Sequence, residues 1–225
     1  MNILFVFVAL FQVALHCHGE YQFDKDHALI EGLLKSYDKN IIPVKVANES
    51  VDLKLGLYLS NVMDFDDDSY IVNVKGWISM MWNDVRLAFP KSAEAAQTRI
   101  PASSIWTPDV QIFNSVDKPT EFVDVNAVVM KDGSVIYVPP LVFSFPCAKA
   151  GSGENSYNCS ARLGSWTYDG NMLDLVAQPL DVSELSQNPE LPISKPTSHK
   201  QVNFFPCCKE PYPTVTFSFL LEDES

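Results

Sequence analysis

The stretch VDLKLGLYL, residues 51–59, puts an apolar side chain at Val51, Leu53, Leu55, Leu57 and Leu59. A period of two marks a β-strand with one buried face, because successive side chains point to opposite sides of a sheet. Further apolar or aromatic strand-like stretches cover 70–82, 122–130, 134–138, 171–177, 201–205 and 214–221. Turn chemistry separates them, as in Lys131-Asp132-Gly133 and Asp169-Gly170. Only residues 24–37 carry a helical pattern: Ala28, Leu29, Ile30, Leu33, Leu34 and Tyr37 keep to one face, behind Asp24 and Asp26 as capping candidates. The expected architecture is an all-β sandwich in one domain with an N-terminal α-helix.

Within 70–82, one face carries Tyr70, Val72, Val74, Gly76, Ile78, Met80 and Trp82. The other carries Ile71, Asn73, Lys75, Trp77, Ser79 and Met81. Trp77 therefore lies among polar residues, either as partly covered surface or as the wall of an interface or ligand site.

The composition excludes several functions. Sixteen Lys and Arg against 28 Asp and Glu give the 225 residues a net charge of −12, which disfavours a nucleic-acid groove and favours cationic or neutral partners. Residues 3–15 (ILFVFVALFQVAL) form an apolar run too short for a bilayer span, followed by His16-Cys17-His18-Gly19, and read as a signal peptide over 1–19. The mature domain is then 20–225, secreted, extracellular and without a membrane span. Removal of Cys17 turns five cysteines into four: Cys147, Cys159, Cys207 and Cys208, for which an oxidising compartment makes two disulfides the default. His27 and His199 are the remaining histidines and sit in no zinc or triad motif, so no metal, no cofactor and no enzyme activity is expected.

Asp64-Phe65-Asp66-Asp67-Asp68 resembles the start of a calcium loop, but no glycine follows the third acid and Lys75 falls where the bidentate glutamate belongs. It reads as a solvated hairpin tip. Asn48 and Asn158 head the glycosylation sequons and are expected in surface loops.

Cys207 and Cys208 are adjacent, within Phe205-Pro206-Cys207-Cys208-Lys209-Glu210-Pro211-Tyr212-Pro213. Neighbouring cysteines can pair elsewhere or with each other, and geometry alone disfavours the second. The rest of the chain bears on the choice. Trp82-Asn83-Asp84, Trp106-Thr107-Pro108-Asp109 with Phe113-Asn114, Tyr137-Val138-Pro139-Pro140 leading to Phe145-Pro146-Cys147, Cys159 with Leu163-Gly164-Ser165-Trp166-Thr167-Tyr168-Asp169-Gly170, and Cys207-Cys208 to Tyr212 follow in that order. Together they resemble the extracellular ligand-binding domain of the nicotinic acetylcholine receptors and, above all, the soluble acetylcholine-binding proteins, within the Cys-loop family.

That resemblance implies an immunoglobulin-like β-sandwich, Cys147–Cys159 and Cys207–Cys208 disulfides, and a homopentamer with ligand cages between subunits. The principal face would supply Phe113, Trp166, Phe205 and Tyr212 beneath the Cys207–Cys208 turn. The complementary face would supply Trp77, with Val128, Ile136 and Val138 as an apolar wall. Such rings suit acetylcholine, nicotine and related ammonium ligands, because a quaternary ammonium donates no hydrogen bonds and is held by aromatic faces at roughly 0.5–2 kcal/mol each. Phe113 and Phe205 stand where the family usually has tyrosines, which implies altered affinity.

The loop 148–158 is rich in Gly, Ser and Asn where receptors carry a longer apolar one, and the sequence stops at Leu220-Leu221-Glu222-Asp223-Glu224-Ser225. The expectation is ligand capture without channel activity. A truncated channel subunit is the alternative. A carbohydrate-binding sandwich or carboxylate-dependent hydrolase is a more distant one.

Overall fold

A computed structural model describes residues 22–44, 46, 49–151, 155–185 and 191–222. Helix α1 (Gln22–Leu34) is followed by twelve strands: β1 (Val51–Asp66), β2 (Ile71–Asn83), β3 (Gln97–Pro101), β4 (Val110–Ile112), β5 (Thr120–Glu121) and β6 (Asn126–Met130), then β7 (Ser134–Tyr137), β8 (Pro140–Lys149), β9 (Ser156–Ser165), β10 (Leu173–Asp181), β11 (Ile193–Asn203) and β12 (Tyr212–Glu222). The alternation at 51–59 is realised in β1, whose Val51, Leu53, Leu55, Leu57 and Leu59 are buried while Asp52 and Lys54 face solvent.

β1 pairs antiparallel with β2 and parallel with β10. β2 in turn carries β7 and β8, and β6 and β3 extend that layer. The second layer is β11-β12-β9, with β4 added beside β9. β8 belongs to both: Pro140 to Pro146 pair with β2, and Cys147 to Lys149 pair with β9. Cys147 and Cys159 face each other in that second register and are disulfide-bonded, so the covalent link sits where the chain passes between layers. Phe143, Phe145, Phe217 and Phe219 are buried, and Phe145 of β8 meets Phe219 of β12 edge-on at 6.1 Å.

A polar knot fastens the helical end. Asp84 is fully buried; its carboxylate accepts from the Tyr37 hydroxyl at 2.6 Å and from Arg86 Nε and Nη2 at 2.8 and 2.7 Å. Tyr37 Oη accepts in turn from the Trp106 amide at 3.0 Å, and the Arg86 guanidinium lies 4.5 Å over the Tyr37 ring. Burial pushes the Tyr37 hydroxyl up from its ordinary value and the hydrogen bond to Asp84 adds to the rise. The bond to Asp84 raises Arg86. One buried carboxylate thereby joins the segment after α1, the turn after β2 and the approach to β4, with its bonds satisfied as burial of charge requires.

Several expectations change at element ends. α1 begins before Asp24, so that residue sits in the first turn, where its charge suits the helix dipole, and does not cap it. Ala28 is exposed; Leu33 is buried, and Leu29, Ile30, Leu34 and Tyr37 pack against the core. Tyr70 is not a strand residue but holds φ 57° in the turn before β2. The stretch 122–130 is interrupted, because β5 ends at Glu121 and β6 begins at Asn126. β11 ends at Asn203, leaving Phe205 in the following turn. β3, β4, β8 and β9 carry proline, glycine or polar interruptions that hide their period. Residues 1–19 and Asn48 lie outside the described residues. Asn158 is on β9, exposed and opposite Leu220, where a loop was expected. No helix among the described residues is long and apolar enough to cross a membrane.

Candidate functional site

Along the solvent face of β9 the alternation runs Arg162, Gly164, Trp166. The Phe113 amide donates to the Arg162 carbonyl at 2.8 Å, which brings Phe113 beside this face. Gly164 makes room for it: a Cβ there would stand 3.0 Å from two Phe113 ring carbons and 3.2 Å from the Pro213 carbonyl oxygen. The Phe113 ring therefore crosses the strand and meets Trp166 edge-on, centroids 5.9 Å apart. Trp166 is 71% exposed, far more than a ring of its size needs to be in a folded chain.

The loop carrying Trp166 is held by a carboxylate that the sequence reading left without a role. Asp109 Oδ1 accepts from Ser165 Oγ at 2.6 Å, and its Oδ2 accepts from the Thr167 amide and hydroxyl at 2.8 and 2.7 Å. The Trp166 amide donates to the Asp109 carbonyl at 3.3 Å. Ser165 Oγ also accepts from the Tyr168 amide, and Tyr168 Oη accepts from the buried Trp106 indole at 3.2 Å. Three donors around one carboxylate, and a fourth on the Asp109 backbone carbonyl, orient the exposed ring without packing it.

The second ring pair comes from the turn between β11 and β12. Phe205 meets Tyr212 edge-on at 5.4 Å, the Cys208 amide donates to the Phe205 carbonyl, and Cys207 is disulfide-bonded to Cys208. Asn203 Nδ2 donates to the Tyr212 carbonyl and to Thr214 Oγ1, both at 3.1 Å, closing the base of the turn. The Gly170 amide donates to the Pro211 carbonyl at 2.7 Å, so the Trp166 loop and the cysteine turn are tied together. Phe113, Trp166, Phe205 and Tyr212 thus share one end of the second layer.

Trp77 is half-buried on the outer face of β2 and stacks on Tyr58 of β1, centroids 5.7 Å apart and planes 17° from parallel. Gly76 permits this, since a Cβ there would run into the Tyr58 carbonyl oxygen. Val128 and Ile136 are register partners across β6 and β7, Ile136 is partnered by Met81 of β2, and Val138 follows β7 on the same stretch. These are partly exposed residues of the first layer. The fold of one chain keeps them apart from the Trp166 rings, which stand on the outer face of the other layer.

Three further cations stand near rings, Lys149 over Tyr70 at 5.5 Å among them. The Arg162 guanidinium lies 5.8 Å over Phe113, and Lys75 Nζ lies 4.9 Å over the exposed ring of Phe122. The acidic run 64–68 ends β1 at Asp66 and enters the turn to β2. The Ser69 hydroxyl and amide, with the Asp68 amide, hold the Asp66 carboxyl below its ordinary value, and all of Asp66, Asp67 and Asp68 are exposed. One carboxylate oxygen from each of these three lies within 4.8 Å of the others.

Residues 26–224 match the family model described as the neurotransmitter-gated ion-channel ligand binding domain. The chain is 34% identical over 202 residues to an acetylcholine receptor subunit alpha-type acr-16 of Caenorhabditis elegans, covering 86% of this chain and 40% of that protein. It is 30% identical over 203 residues to the human neuronal acetylcholine receptor subunit alpha-5, covering 88% and 43%. Against the neuronal acetylcholine receptor subunit alpha-9-II of Oncorhynchus mykiss the identity is 29% over 224 residues, 96% of this chain and 40% of the relative. The chain therefore spans less than half the length of these relatives.

Proposed function

The chain belongs to the neurotransmitter-gated ion-channel ligand-binding domain family, and from that premise we propose that it captures small ammonium ligands, acetylcholine and nicotine among them, between adjacent copies of itself in a pentamer. Phe113, Trp166, Phe205 and Tyr212 of one subunit would face Trp77, Val128, Ile136 and Val138 of the next, with the Cys207–Cys208 turn closing over the ligand. The observation that carries this reading is the pair of edge-packed ring couples at one end of the sandwich, with Trp166 left 71% exposed.

Four or five rings around a desolvated ammonium supply several kcal/mol, and micromolar binding requires about 8 kcal/mol in all. Burial of apolar surface under the cysteine turn supplies the remainder. A protonated amine has one option that a quaternary ammonium lacks, which is donation to a backbone carbonyl beside Trp166. No proton transfer or bond cleavage is involved, so the function is binding and not catalysis.

Capture by a secreted protein without a channel is the reading we favour, on the polar composition of 148–158, where Gly, Ser and Asn offer no apolar surface to a membrane domain. The extracellular part of a channel subunit is the second reading, favoured by relatives of more than twice the matched length. The natural transcript decides between these two.

The cage itself is tested by titrating the protein with acetylcholine and nicotine, following tryptophan fluorescence, on material whose mass is measured by light scattering. Saturable quenching or enhancement by a species of pentameric mass is expected. No response, or a monomer at micromolar concentration, refutes the cage.

A further inference from the structure

Arg162 stands on the same strand face as Trp166, two side-chain positions below it, and its guanidinium lies over Phe113, the ring that Trp166 meets edge-on. The guanidinium is thus one ring away from the cage. It is exposed, and among the described residues it has no ion-pair partner; the ion pairs present are Lys25–Glu94, Arg86–Asp84 and Lys200–Asp174. Its neighbours on this face supply no carboxylate. Thr216 is its partner on β12, His199 follows on β11, and Asn114 lies on the β4 side.

The opposing wall carries cations as well. A single register row across five strands reads Lys54, Met81, Ile136, Val128, Arg99, with a cation at each end of the apolar wall. Lys75 is the outward neighbour of Trp77 on β2. Although Asp109 holds the Trp166 loop and Glu121 and Asp124 act on Tyr137, a cation stands beside each ring set: Arg162 over Phe113 and Lys75 next to Trp77. A ligand that is only a cation would bring a further positive charge between them.

We propose that the cage selects zwitterions: small molecules joining an ammonium group, held by the rings, to an anionic group, held by Arg162. This rests on the cage reading and specifies its ligand class. Arg162 is the specificity-determining residue, because a guanidinium offers a planar fork of donors to a carboxylate and bonds to charged acceptors are the stronger kind. The rings cannot make this distinction, since they hold any ammonium whatever its far end carries.

The test uses two probes with the same ammonium group, 4-(trimethylammonio)butanoate and its methyl ester, titrated into the intact protein by calorimetry. The wild type is expected to bind the carboxylate at least about tenfold more tightly than the ester, equivalent to about 1.4 kcal/mol. Arg162→Gln should abolish that ratio by weakening the carboxylate and leaving or improving the ester, and Arg162→Lys should retain part of it. Arg162 is exposed and its side chain makes no hydrogen bond among the described residues, so both variants should fold, as circular dichroism checks. Ester binding as tight as the carboxylate in the wild type overturns the zwitterion inference and leaves the cage standing. So does an unchanged ratio in Arg162→Gln. Loss of pentameric mass in Arg162→Gln with no probe preference in the wild type assigns Arg162 to a carboxylate of the neighbouring subunit, which also overturns it. Failure of both probes to bind refutes the cage reading and this inference with it.

Discussion

The four tryptophans of this chain divide into two uses. Trp82 and Trp106 lie at the helical end, 4% and 3% exposed, and meet edge-on at 5.7 Å beside the Tyr37–Asp84–Arg86 knot. Trp77 and Trp166 lie on outer faces, each touching one other ring. The buried pair is packed by apolar neighbours, and the Trp106 indole has a partner in Tyr168, although the Trp82 Nε1–H finds none among the described residues. The outer pair is oriented by glycine clearances and by Asp109, with Trp77 half-buried and Trp166 mostly exposed. The difference teaches that ring size alone says nothing about role. Folding takes its free energy from rings removed from water, whereas a ring held in place and left in water retains its face for something else.

The largest expected effect lies at the buried end. Asp84→Ala leaves Tyr37 and the Arg86 guanidinium without their common acceptor, and removal of one partner from a buried ionic network costs about 3 kcal/mol. The urea midpoint should fall accordingly, and any protein that remains folded should bind ligand normally. A midpoint within experimental error of wild type would show that the knot contributes nothing. Trp166→Ala should do the reverse: about a 100-fold loss of acetylcholine affinity, with stability changed by less than about 1 kcal/mol and pentameric mass intact. Equal losses of stability and binding in either variant would break the division between the two regions.

The same division governs how much could be read in advance. The buried faces of β1 up to Leu59 and of β2 throughout were legible because they alternate, and the position of Trp77 on the polar face of β2 followed from that period. β8 and β9 were not, since Pro140, Pro146 and Gly164 break the pattern and β8 passes from one layer to the other. The ring set of the site came from motif resemblance, not from periodicity; Phe205 in a turn and Trp166 just past a strand end have no period to reveal them. Asp109 stood in a quoted motif, but its role depends on a loop 56 to 58 residues away in sequence, which local pattern does not report. Arg162 and Tyr58 were missed for the same reason, being ordinary strand residues until a partner ring is placed beside them.

Asp109→Asn sharpens the comparison at an intermediate size. An amide keeps one acceptor oxygen but loses the charge and offers a donor where Ser165 and Thr167 already donate, so at least one of their bonds is lost. Stability should fall by about 1–2 kcal/mol, and ligand affinity by about tenfold, because Trp166 no longer starts in its binding orientation. The loss of affinity should appear at temperatures where the variant is fully folded. If affinity is unchanged there, the loop is oriented by the Gly170–Pro211 contact and not by Asp109.

The smallest effect concerns the missing hydroxyl at Phe205. The ring is 51% exposed and meets Tyr212 edge-on, so its face is available and its para position has room. Phe205→Tyr adds one hydroxyl to a ring that is half in water. The face of the ring, which attracts an ammonium, is nearly the same in phenylalanine and tyrosine. A new hydrogen bond, exchanged against water, is worth only about 0.5–1.5 kcal/mol. Affinity for acetylcholine and for nicotine should therefore rise by about three- to tenfold, with the fluorescence titration of both ligands as the measurement. A hydroxyl that orders the turn helps both ligands, and one that also accepts from a protonated amine gives nicotine the larger rise. Unchanged affinity for both would remove any role for the hydroxyl and leave the exposed ring face as the whole contribution of residue 205 to the rim.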